Sequence, residues 1–527
     1  MTSQRDLTTT ELFNKIISNT PGGAVVVTLG AAACTYLLVS SFKNNNNKIG
    51  WREVPSPKGS VPYFGHLFKL DEVPVKQFNK WHEELGPIIK VNMGVREWYS
   101  IADPLLAHQV FNINGKSTSG RPHATFMTEC YALGGKGIVA GSPSTQFNKT
   151  RGAMLQVISS KNRASIEKLF NPDVDAFVEK ILDITTKKGS VNVLEPLHFT
   201  SLNVILTACF GKRIESTEDP LFKEITSVMS ETGRRAGPAE EITSFLPIMG
   251  IVDFLIRKKR NMRQFVQEKR DPLFTQLIQE AVEGDVDCLA KSMLAMEDDV
   301  NEFTNVMVTM SDSIMAGTDT SAVMLQWAFV ILSRYPKVQQ EIREELDQFI
   351  CEHRRLPTLD ERESLPYSIS VQKECMRYKP ATMFGLPHEC TEDIEVSGYH
   401  IPKGATVVSN MFALHRNEEF YPNADKFIPD RFLNDTRAMH QSANSSAEKR
   451  DHFNFGWGRR VCPGAYLAEL EIFNIWVRVF AKCVIKPPLD GNGNPIYPDI
   501  DTIINAGIVT PPKNPIVRVI KRTDALL

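Results

Sequence analysis

The stretch that decides the fold lies near the carboxyl end and reads Phe455-Gly456-Trp457-Gly458-Arg459-Arg460-Val461-Cys462-Pro463-Gly464. Cys462 follows an aromatic ring (Phe455), a glycine (Gly458) and an arginine (Arg460), and it precedes a second glycine (Gly464). Glycines let the backbone approach a flat macrocycle and permit positive φ, and successive N–H groups in such a turn can point at a sulfur anion. Arg460 can then pair with a carboxylate of the macrocycle, while Phe455 shields the sulfur. The spacing predicts that Cys462 binds the iron of a haem; a buried structural cysteine in a glycine-rich loop is the alternative.

This loop resembles the cysteine-ligand loop of the haem-thiolate monooxygenases, the cytochrome P450 superfamily. The chain as a whole resembles membrane-bound fungal members of that superfamily. The resemblance implies a mainly α fold with a small β portion, arranged as a single triangular haem-thiolate domain behind an N-terminal transmembrane helix. It also implies haem b (iron protoporphyrin IX) as the cofactor, with Cys462 as the axial ligand of its iron.

Length and composition are those of an ordinary globular protein. The 527 residues exceed the usual size of one domain, yet no linker divides the chain internally, so one large catalytic domain behind an anchor fits best. A formal net charge of -2 gives no indication of nucleic-acid binding. The cysteines are scattered singly, without a C-x-x-C pair, which argues against zinc sites and disulfides and suits a reducing compartment.

The amino end holds an apolar run from Gly22 to Val39 that carries no charge and is long enough to span a bilayer as a helix. Lys43, Lys48 and Arg52 behind it predict a cytosolic catalytic domain by the positive-inside rule. A cleaved signal peptide is the alternative, and the polar residues ahead of the run argue against it. By resemblance to microsomal relatives, we expect a single-pass protein of the endoplasmic reticulum membrane. The predicted divisions are a polar segment (1–21), a transmembrane signal anchor (22–42), a linker with a proline-rich hinge (43–62) and the haem-thiolate catalytic domain (63–527).

A long helix is predicted between Val300 and Pro336, because no proline interrupts this stretch. Within it lies the run Ala316-Gly317-Thr318-Asp319-Thr320, and a glycine followed by acid and hydroxyl residues is locally costly in a helix. A hydroxyl there can bond the carbonyl one turn earlier and open the helix slightly. A structural helix of a bundle or coiled coil, rich in serine and threonine, is the alternative.

The distal helix of the P450 superfamily carries the same acid and hydroxyl pattern. By that resemblance Thr320 supports bound dioxygen through hydrogen bonds, and Asp319 helps relay protons. Ala316 and Gly317 then leave room beside the haem for dioxygen and substrate. These four residues form the predicted distal side of the site.

A second helix is predicted to end near Tyr378, because Lys379-Pro380 stops it. Glu374 and Arg377 share one face of that helix. The superfamily pairs such a glutamate and arginine with an arginine in a downstream segment, and Arg431 occupies that position here. The resemblance implies a buried charged triad whose role is structural.

Haem propionates need cations, and four candidates follow from the resemblance. Arg460 stands in the cysteine loop, and Arg151 follows Phe147 in an aromatic-x-x-x-Arg pattern. His388 lies where relatives place a propionate-binding arginine or histidine, and Arg121 is a fourth candidate. Relatives usually carry tryptophan at the position of Phe147, which lacks an N–H donor, so one propionate hydrogen bond is in question.

Together these features predict a monooxygenase that places one oxygen atom from dioxygen into a lipophilic substrate such as a steroid or xenobiotic. NADPH–cytochrome P450 reductase is the expected electron donor, with cytochrome b5 as a second candidate. Three basic residues are predicted to form the docking patch: Arg459, Lys482 and Lys149. A haem-thiolate isomerase or lyase acting on a hydroperoxide and a non-enzymatic haem sensor remain alternatives. The resemblance implies that mostly apolar residues line the distal pocket: Phe126, Met127, Met383, Phe384, Leu386, Ile508 and Val509.

Overall fold

The computed structural model describes residues 51–158, 163–237, 240–296 and 299–527. The predicted polar segment and the predicted transmembrane anchor lie outside the described residues. Within the described part of the chain, one helix, Phe303–Leu332, is long and apolar enough to cross a membrane, and it is mostly buried inside the protein. It is therefore a core helix, and the membrane anchor at 22–42 stays a prediction.

The described part of the predicted hinge is joined to the domain that follows it. The N–H of Arg52 donates to the carbonyl of Gly398 at 2.7 Å, and the carbonyl of Pro55 accepts from the N–H of Lys90 at 2.7 Å. These two bonds attach the segment to Gly398 and to Lys90, which lie in different parts of the β-sheet region. The boundary between hinge and domain at residue 63 stays a prediction.

Helices dominate the described chain. Their bounds are α1 (Pro74–Leu85), α2 (Pro104–His108), α3 (Thr145–Val157), α4 (Arg163–Lys188), α5 (Leu194–Phe210), α6 (Pro220–Ala236), α7 (Ile242–Phe245), α8 (Gly250–Leu255), α9 (Lys258–Phe265), α10 (Asp271–Glu283), α11 (Leu289–Leu294), α12 (Phe303–Leu332), α13 (Pro336–His353), α14 (Pro366–Tyr378), α15 (Met411–Leu414), α16 (Met439–Ala443) and α17 (Ala465–Lys482). Proline opens α1, α2, α6, α13 and α14. At that position its missing N–H has no helical partner to lose, and its fixed φ suits the first turn.

Short strands form three small sheets in the described residues. Their bounds are β1 (Ile88–Met93), β2 (Arg96–Ile101), β3 (Val191–Asn192), β4 (His388–Glu389), β5 (Ile394–Val396), β6 (Tyr399–Ile401), β7 (Thr406–Ser409), β8 (Cys483–Lys486) and β9 (Ile516–Lys521). The sheets have the orders β1-β2-β7-β4, β3-β9-β8 and β5-β6. Strands β2 and β7 run parallel, whereas β1–β2 and β4–β7 are antiparallel. The mainly α fold with a small β portion is confirmed.

Helix α12 is the predicted long helix and runs through the core. Its hydroxyl side chains bond carbonyls one turn earlier: Thr309 donates to Asn305 at 2.8 Å, Ser313 to Thr309 at 2.8 Å and Thr320 to Ala316 at 2.7 Å. The predicted back-bonding is therefore confirmed. Helix α12 remains α-helical through this turn, and a slight opening of it stays a prediction. Back-bonding satisfies these hydroxyls in an apolar environment without breaking the backbone ladder.

Helices α5 and α12 cross at close range. A Cβ at Gly317 would lie 2.6 Å from the Cδ1 of Ile205, closer than real side chains approach. Glycine is thus needed at this crossing for helix packing. The crossing fixes the turn of α12 that carries Asp319 and Thr320 relative to α5.

The predicted charged triad is present and buried beneath the site. Arg377 donates to Glu374 through Nε at 2.7 Å and through Nη2 at 2.8 Å, and Arg431 Nε donates to Glu374 at 3.0 Å. Arg377 also donates to the carbonyls of His415 and Ala424, both at 2.8 Å. The side chains of Glu374 and Arg377 are fully buried. This network joins α14 to the segments that lead into the cysteine loop.

Candidate active site at Cys462

The cysteine loop is held by its own backbone. The N–H of Cys462 donates to the carbonyl of Phe455 at 2.7 Å. Gly458 has φ +50°, and a Cβ there would lie 2.2 Å from the carbonyl oxygen of Phe111, so only glycine fits. Gly464 starts the turn into α17, and its N–H bonds the thiol of Cys462.

The thiol of Cys462 is exposed, although the protein around it is dense. Burial raises its pKa, while the N–H of Gly464 and the charge of Arg151 act in the opposite direction. A free thiol here stays protonated near neutral pH. A metal ion deprotonates a coordinating thiol directly, so the loop suits a metal ligand better than a free nucleophile.

Helix α3 places Arg151 and Phe147 beside the loop. The guanidinium of Arg151 donates to the carbonyl of Val461. The Cζ of Arg460 lies 4.1 Å from the centroid of the Phe147 ring. Phenylalanine at this position therefore keeps a ring contact with the loop through a cation–π interaction, in place of the N–H that tryptophan would supply.

Arg460 is directed away from the loop toward the segment between residues 118 and 141. Its Nη2 donates to the carbonyls of Ser119 at 2.8 Å and Gly141 at 2.5 Å. Burial lowers its pKa to about 9, and the charges of Arg121 and Arg151 act in the same direction. Arg460 is thus a partly buried cation whose hydrogen-bond partners are backbone carbonyls.

Arg121 and His388 extend the same cluster. Arg121 donates to the carbonyls of Pro387 at 2.7 Å and Val139 at 2.9 Å. Burial lowers the pKa of Arg121 to about 10. The Nδ1 of His388 lies 2.7 Å from the carbonyl of Thr118. Burial, then Arg121, and then Arg460 hold the pKa of His388 well below its ordinary value, so the ring is neutral.

This donor set fits a haem. The charges of Arg121 and Arg151 both act against the charge of Arg460, and propionate carboxylates would offset that repulsion. Cys462 offers an accessible sulfur next to them. Ala316 is exposed although it lies in the middle of the largely buried helix α12, so the helix presents a small side chain to open space.

The distal residues are arranged as follows. Thr320 and Asp319 are both partly buried on α12, and the Thr320 hydroxyl donates to Ala316. Burial raises the pKa of Asp319, and the charge of His198 opposes that shift. On its Cβ side Gly317 faces Ile205, so its small size serves the helix crossing there. The roles predicted for these residues toward dioxygen stay predictions.

Two buried carboxylates at the site were not found from the sequence. Asp312 of α12 accepts from the N–H groups of Ile138 at 2.8 Å and Val139 at 3.0 Å. Burial raises its pKa to about 6. Glu471 of α17 accepts a hydrogen bond from Ser201, and burial raises its pKa to about 7. The available signal in both cases was an acidic residue within a largely apolar helix.

The residues predicted to line the distal pocket differ in their exposure to solvent. Phe126 is fully buried in a core cluster with Met262 and Val308. Leu386 and Ile508 are exposed, at 40% and 47%. Met383 and Val509 are buried, and Met127 and Phe384 are partly buried, so the lining of a distal pocket by these residues stays a prediction.

Comparisons with known proteins agree with this geometry. A family model for cytochrome P450 matches residues 55–519. The cytochrome P450 monooxygenase virE of Hypocrea virens is 28% identical over 479 residues, which cover 88% of this chain and 85% of that protein. The cytochrome P450 monooxygenase verL of Clonostachys rogersoniana is 25% identical over 483 residues, 88% of this chain and 86% of that protein. A zebra fish cytochrome P450 solved with progesterone has a TM-score of 0.70 at 22% identity, covering 85% of this chain and 99% of that one, and shows the same fold.

The fold, the cysteine loop and its cations together define a haem-thiolate protein. The chain belongs to the cytochrome P450 family and is a monooxygenase of that family, with haem iron as its cofactor.

Proposed function

We propose that the protein inserts one oxygen atom from dioxygen into a lipophilic organic substrate, with electrons from NADPH delivered by a separate cytochrome P450 reductase. The second oxygen atom leaves as water. The observation that carries the proposal is the combination of the accessible Cys462 thiol with Asp319 and Thr320 on α12. A hydroperoxide lyase or isomerase needs no proton delivery to dioxygen and therefore no such pair.

Haem b would be held by Cys462 through its iron and by Arg460, Arg121 and Arg151 through its propionates, with neutral His388 as a further hydrogen-bond partner. When bound, the haem supplies the chemistry that activates dioxygen, and thiolate ligation favours O–O cleavage. The protein supplies orientation, water exclusion and protons.

Proton handling belongs to α12. The Thr320 hydroxyl donates its hydrogen to the carbonyl of Ala316 at 2.7 Å, so its oxygen lone pairs can accept a hydrogen bond on the open side. Because burial raises the pKa of Asp319, its carboxyl group holds a proton more readily than a solvated aspartate does. Asp319 can therefore carry a proton into the site, and Thr320 can orient it.

The substrate class is proposed from the exposed apolar residues. Leu386 and Ile508 favour a lipophile, and a steroid is one candidate of suitable chemistry. Progesterone is a reasonable first probe, since a protein of the same fold was solved with it. Lauric acid is the matched probe for a flexible chain.

The test is reconstitution of the full chain with reductase, NADPH and each probe under isotope-labelled dioxygen. We expect a product that has gained one labelled oxygen atom, read by mass spectrometry. Thr320→Ala should reduce product per NADPH by roughly tenfold or more. Thr186→Ala removes a similar back-bonded hydroxyl on α4, whose bond to Leu182 is 2.9 Å, and should leave the ratio unchanged. A product that forms without NADPH and contains no labelled oxygen would favour the lyase alternative.

A membrane location is supported by one exposed apolar segment. Ile251, Phe254, Leu255 and Ile256 are exposed at 54%, 82%, 70% and 57%. Four basic residues follow immediately, at positions 257–260. An apolar turn next to basic residues is the pattern of a segment that lies in the headgroup region of a membrane. We propose the endoplasmic reticulum membrane as that surface.

A further inference from the structure

A histidine that no sequence pattern connects with the site faces Asp319. His198 lies on α5, and its Nδ1 is 3.7 Å from the Oδ1 of Asp319 on α12. The two helices come this close because Gly317 lets α12 approach Ile205 of α5. His198 and Asp319 therefore meet across a fixed helix crossing.

Water reaches both members of this pair, whose side chains are 30% and 33% exposed. Burial is still the largest influence on each group: it lowers the pKa of His198 and raises the pKa of Asp319. Each group opposes the shift of the other through its charge. Because the two pKa values move toward each other, a proton can pass between the imidazole and the carboxylate at small cost.

The other charged groups around the crossing are engaged elsewhere. Glu471 of α17 accepts a hydrogen bond from Ser201 and is fully buried. Lys180 of α4 lies 5.2 Å from the ring centroid of Phe199. Glu195, at the start of α5, is exposed to solvent. The charge that opposes each pKa shift in the pair is the charge of its partner.

Building on the proposed function, we propose that His198 is the positioning and proton-loading partner of Asp319. The Nδ1–H bond of the imidazolium breaks as an Oδ1–H bond forms on Asp319, and the neutral imidazole takes its next proton from solvent water. Because 3.7 Å is longer than a hydrogen bond, transfer needs a small side-chain rotation or one bridging water. The loaded carboxyl then adjoins Thr320, and it returns to the anion when the site takes the proton.

The first test measures the pair without turnover. The chain contains 11 histidines, so protein labelled with ¹⁵N-histidine gives few signals, and His198 is the signal lost in His198→Gln. The reduced carbon-monoxide form of the holoenzyme is diamagnetic and suits this titration. We expect Asp319→Asn to move the His198 titration to lower pH, because the nearby negative charge is gone. An unmoved titration would overturn the proposal.

The second test measures product per NADPH from about pH 5.5 to 8 with whichever probe the wild-type protein oxygenates. His198→Gln should lower the ratio several-fold and flatten its dependence on pH, with the carbon-monoxide spectrum unchanged. Glu195→Gln, on an exposed residue of the same helix, is the control and should match the wild type. A wild-type pH profile in His198→Gln would show an ion pair without a role in proton delivery. If the wild-type protein forms no oxygenated product, the proposed function fails and the loading role fails with it, while the titration still reports the pair.

Discussion

Cys462 illustrates how a residue can be prepared for a ligand by its backbone. Its own N–H is engaged with Phe455, the N–H of Gly464 points at the sulfur, and burial keeps a metal-free thiol protonated. A bound metal ion reverses that preference by deprotonating the thiol itself. The loop therefore favours one outcome, a metal-bound thiolate, over free reactivity.

We expect Cys462→Ser to lose the carbon-monoxide spectrum that marks thiolate ligation, since a serine hydroxyl is a far weaker ligand for haem iron. Difference spectroscopy of the reduced protein with carbon monoxide measures this. Cys351→Ser changes an exposed cysteine of α13 and should keep the wild-type spectrum. A wild-type spectrum from Cys462→Ser would place the iron ligand elsewhere.

Local sequence was sufficient to predict contacts where a short run of residues or a spacing typical of the family indicates them. The triad of Glu374, Arg377 and Arg431 is such a case, and its predicted pairing is confirmed. The contact of His198 with Asp319 could not be predicted, because it depends on how α5 and α12 cross. A lone histidine on an apolar helix carries no sign of its partner in a distant segment.

At the scale of elements, the crossing of α5 and α12 depends on one missing side chain. We expect Gly317→Ala to destabilise the protein by about 1–3 kcal/mol, because the new Cβ would lie 2.6 Å from the Cδ1 of Ile205. Denaturant unfolding followed by tryptophan fluorescence measures the change. In the double variant with Ile205→Ala, the cost should be smaller than the sum of the single costs.

Gly152→Ala is the matched control for that experiment. Gly152 lies inside α3, and a Cβ there would meet nothing within 4 Å. Helix propensity alone then predicts a gain of about 0.5–1 kcal/mol. Equal losses at Gly152 and Gly317 would show that the close crossing is not what the glycine at 317 serves.

Glu471 links three elements, since it lies on α17 and interacts with Ser201 of α5 and Ser321 of α12. Burial raises its pKa from 4.5 to about 7. The folded protein therefore keeps a proton that the unfolded chain releases between these values, and stability falls as pH rises through this window. The full difference amounts to up to about 3 kcal/mol.

Glu471→Gln removes this titration while keeping a hydrogen-bonding side chain. We expect the variant to lose less stability than the wild type between about pH 5 and pH 8, as measured by denaturant midpoints. Glu419→Gln, on an exposed residue, should retain the wild-type pH dependence. A wild-type slope in Glu471→Gln would assign the pH dependence to other buried acids, such as Asp312.

Helices were predicted most accurately where the sequence pattern that marks their extent or their end is regular. The proline-free stretch before Pro336 correctly predicted α12, and Lys379-Pro380 correctly predicted the end of α14 at Tyr378. The back-bonding of Thr320 within α12 was also predicted correctly. Each cation of the cluster at the site was named from the sequence. The backbone carbonyls that accept their hydrogen bonds were not, because these carbonyls lie in irregular segments without a periodic sequence pattern.

At the scale of the whole molecule, the proposed membrane contact can be tested at two exposed apolar positions, Phe254 and Ile113. Gly458 packs against Phe111, which puts the neighbouring, 70% exposed Ile113 on the side of the cysteine loop. The exposed apolar segment that contains Phe254 follows Glu241 in the chain, and Glu241 accepts from the N–H groups of Thr125 and Phe126. The proposed reductase could approach the cysteine loop only if that side of the protein remained free of the proposed membrane contact.

Depth in the bilayer tests this arrangement on the full chain. We expect Phe254→Trp, in protein reconstituted into nanodiscs, to give fluorescence that brominated lipids quench strongly, because this side chain is 82% exposed at the centre of the apolar segment. Ile113→Trp, at a position 70% exposed near the cysteine loop, should resist the same quencher. The six native tryptophans contribute a background that the unsubstituted chain measures directly. Equal quenching at the two positions would contradict a membrane contact through α8, since the predicted anchor alone would let the domain tumble and sample both faces equally.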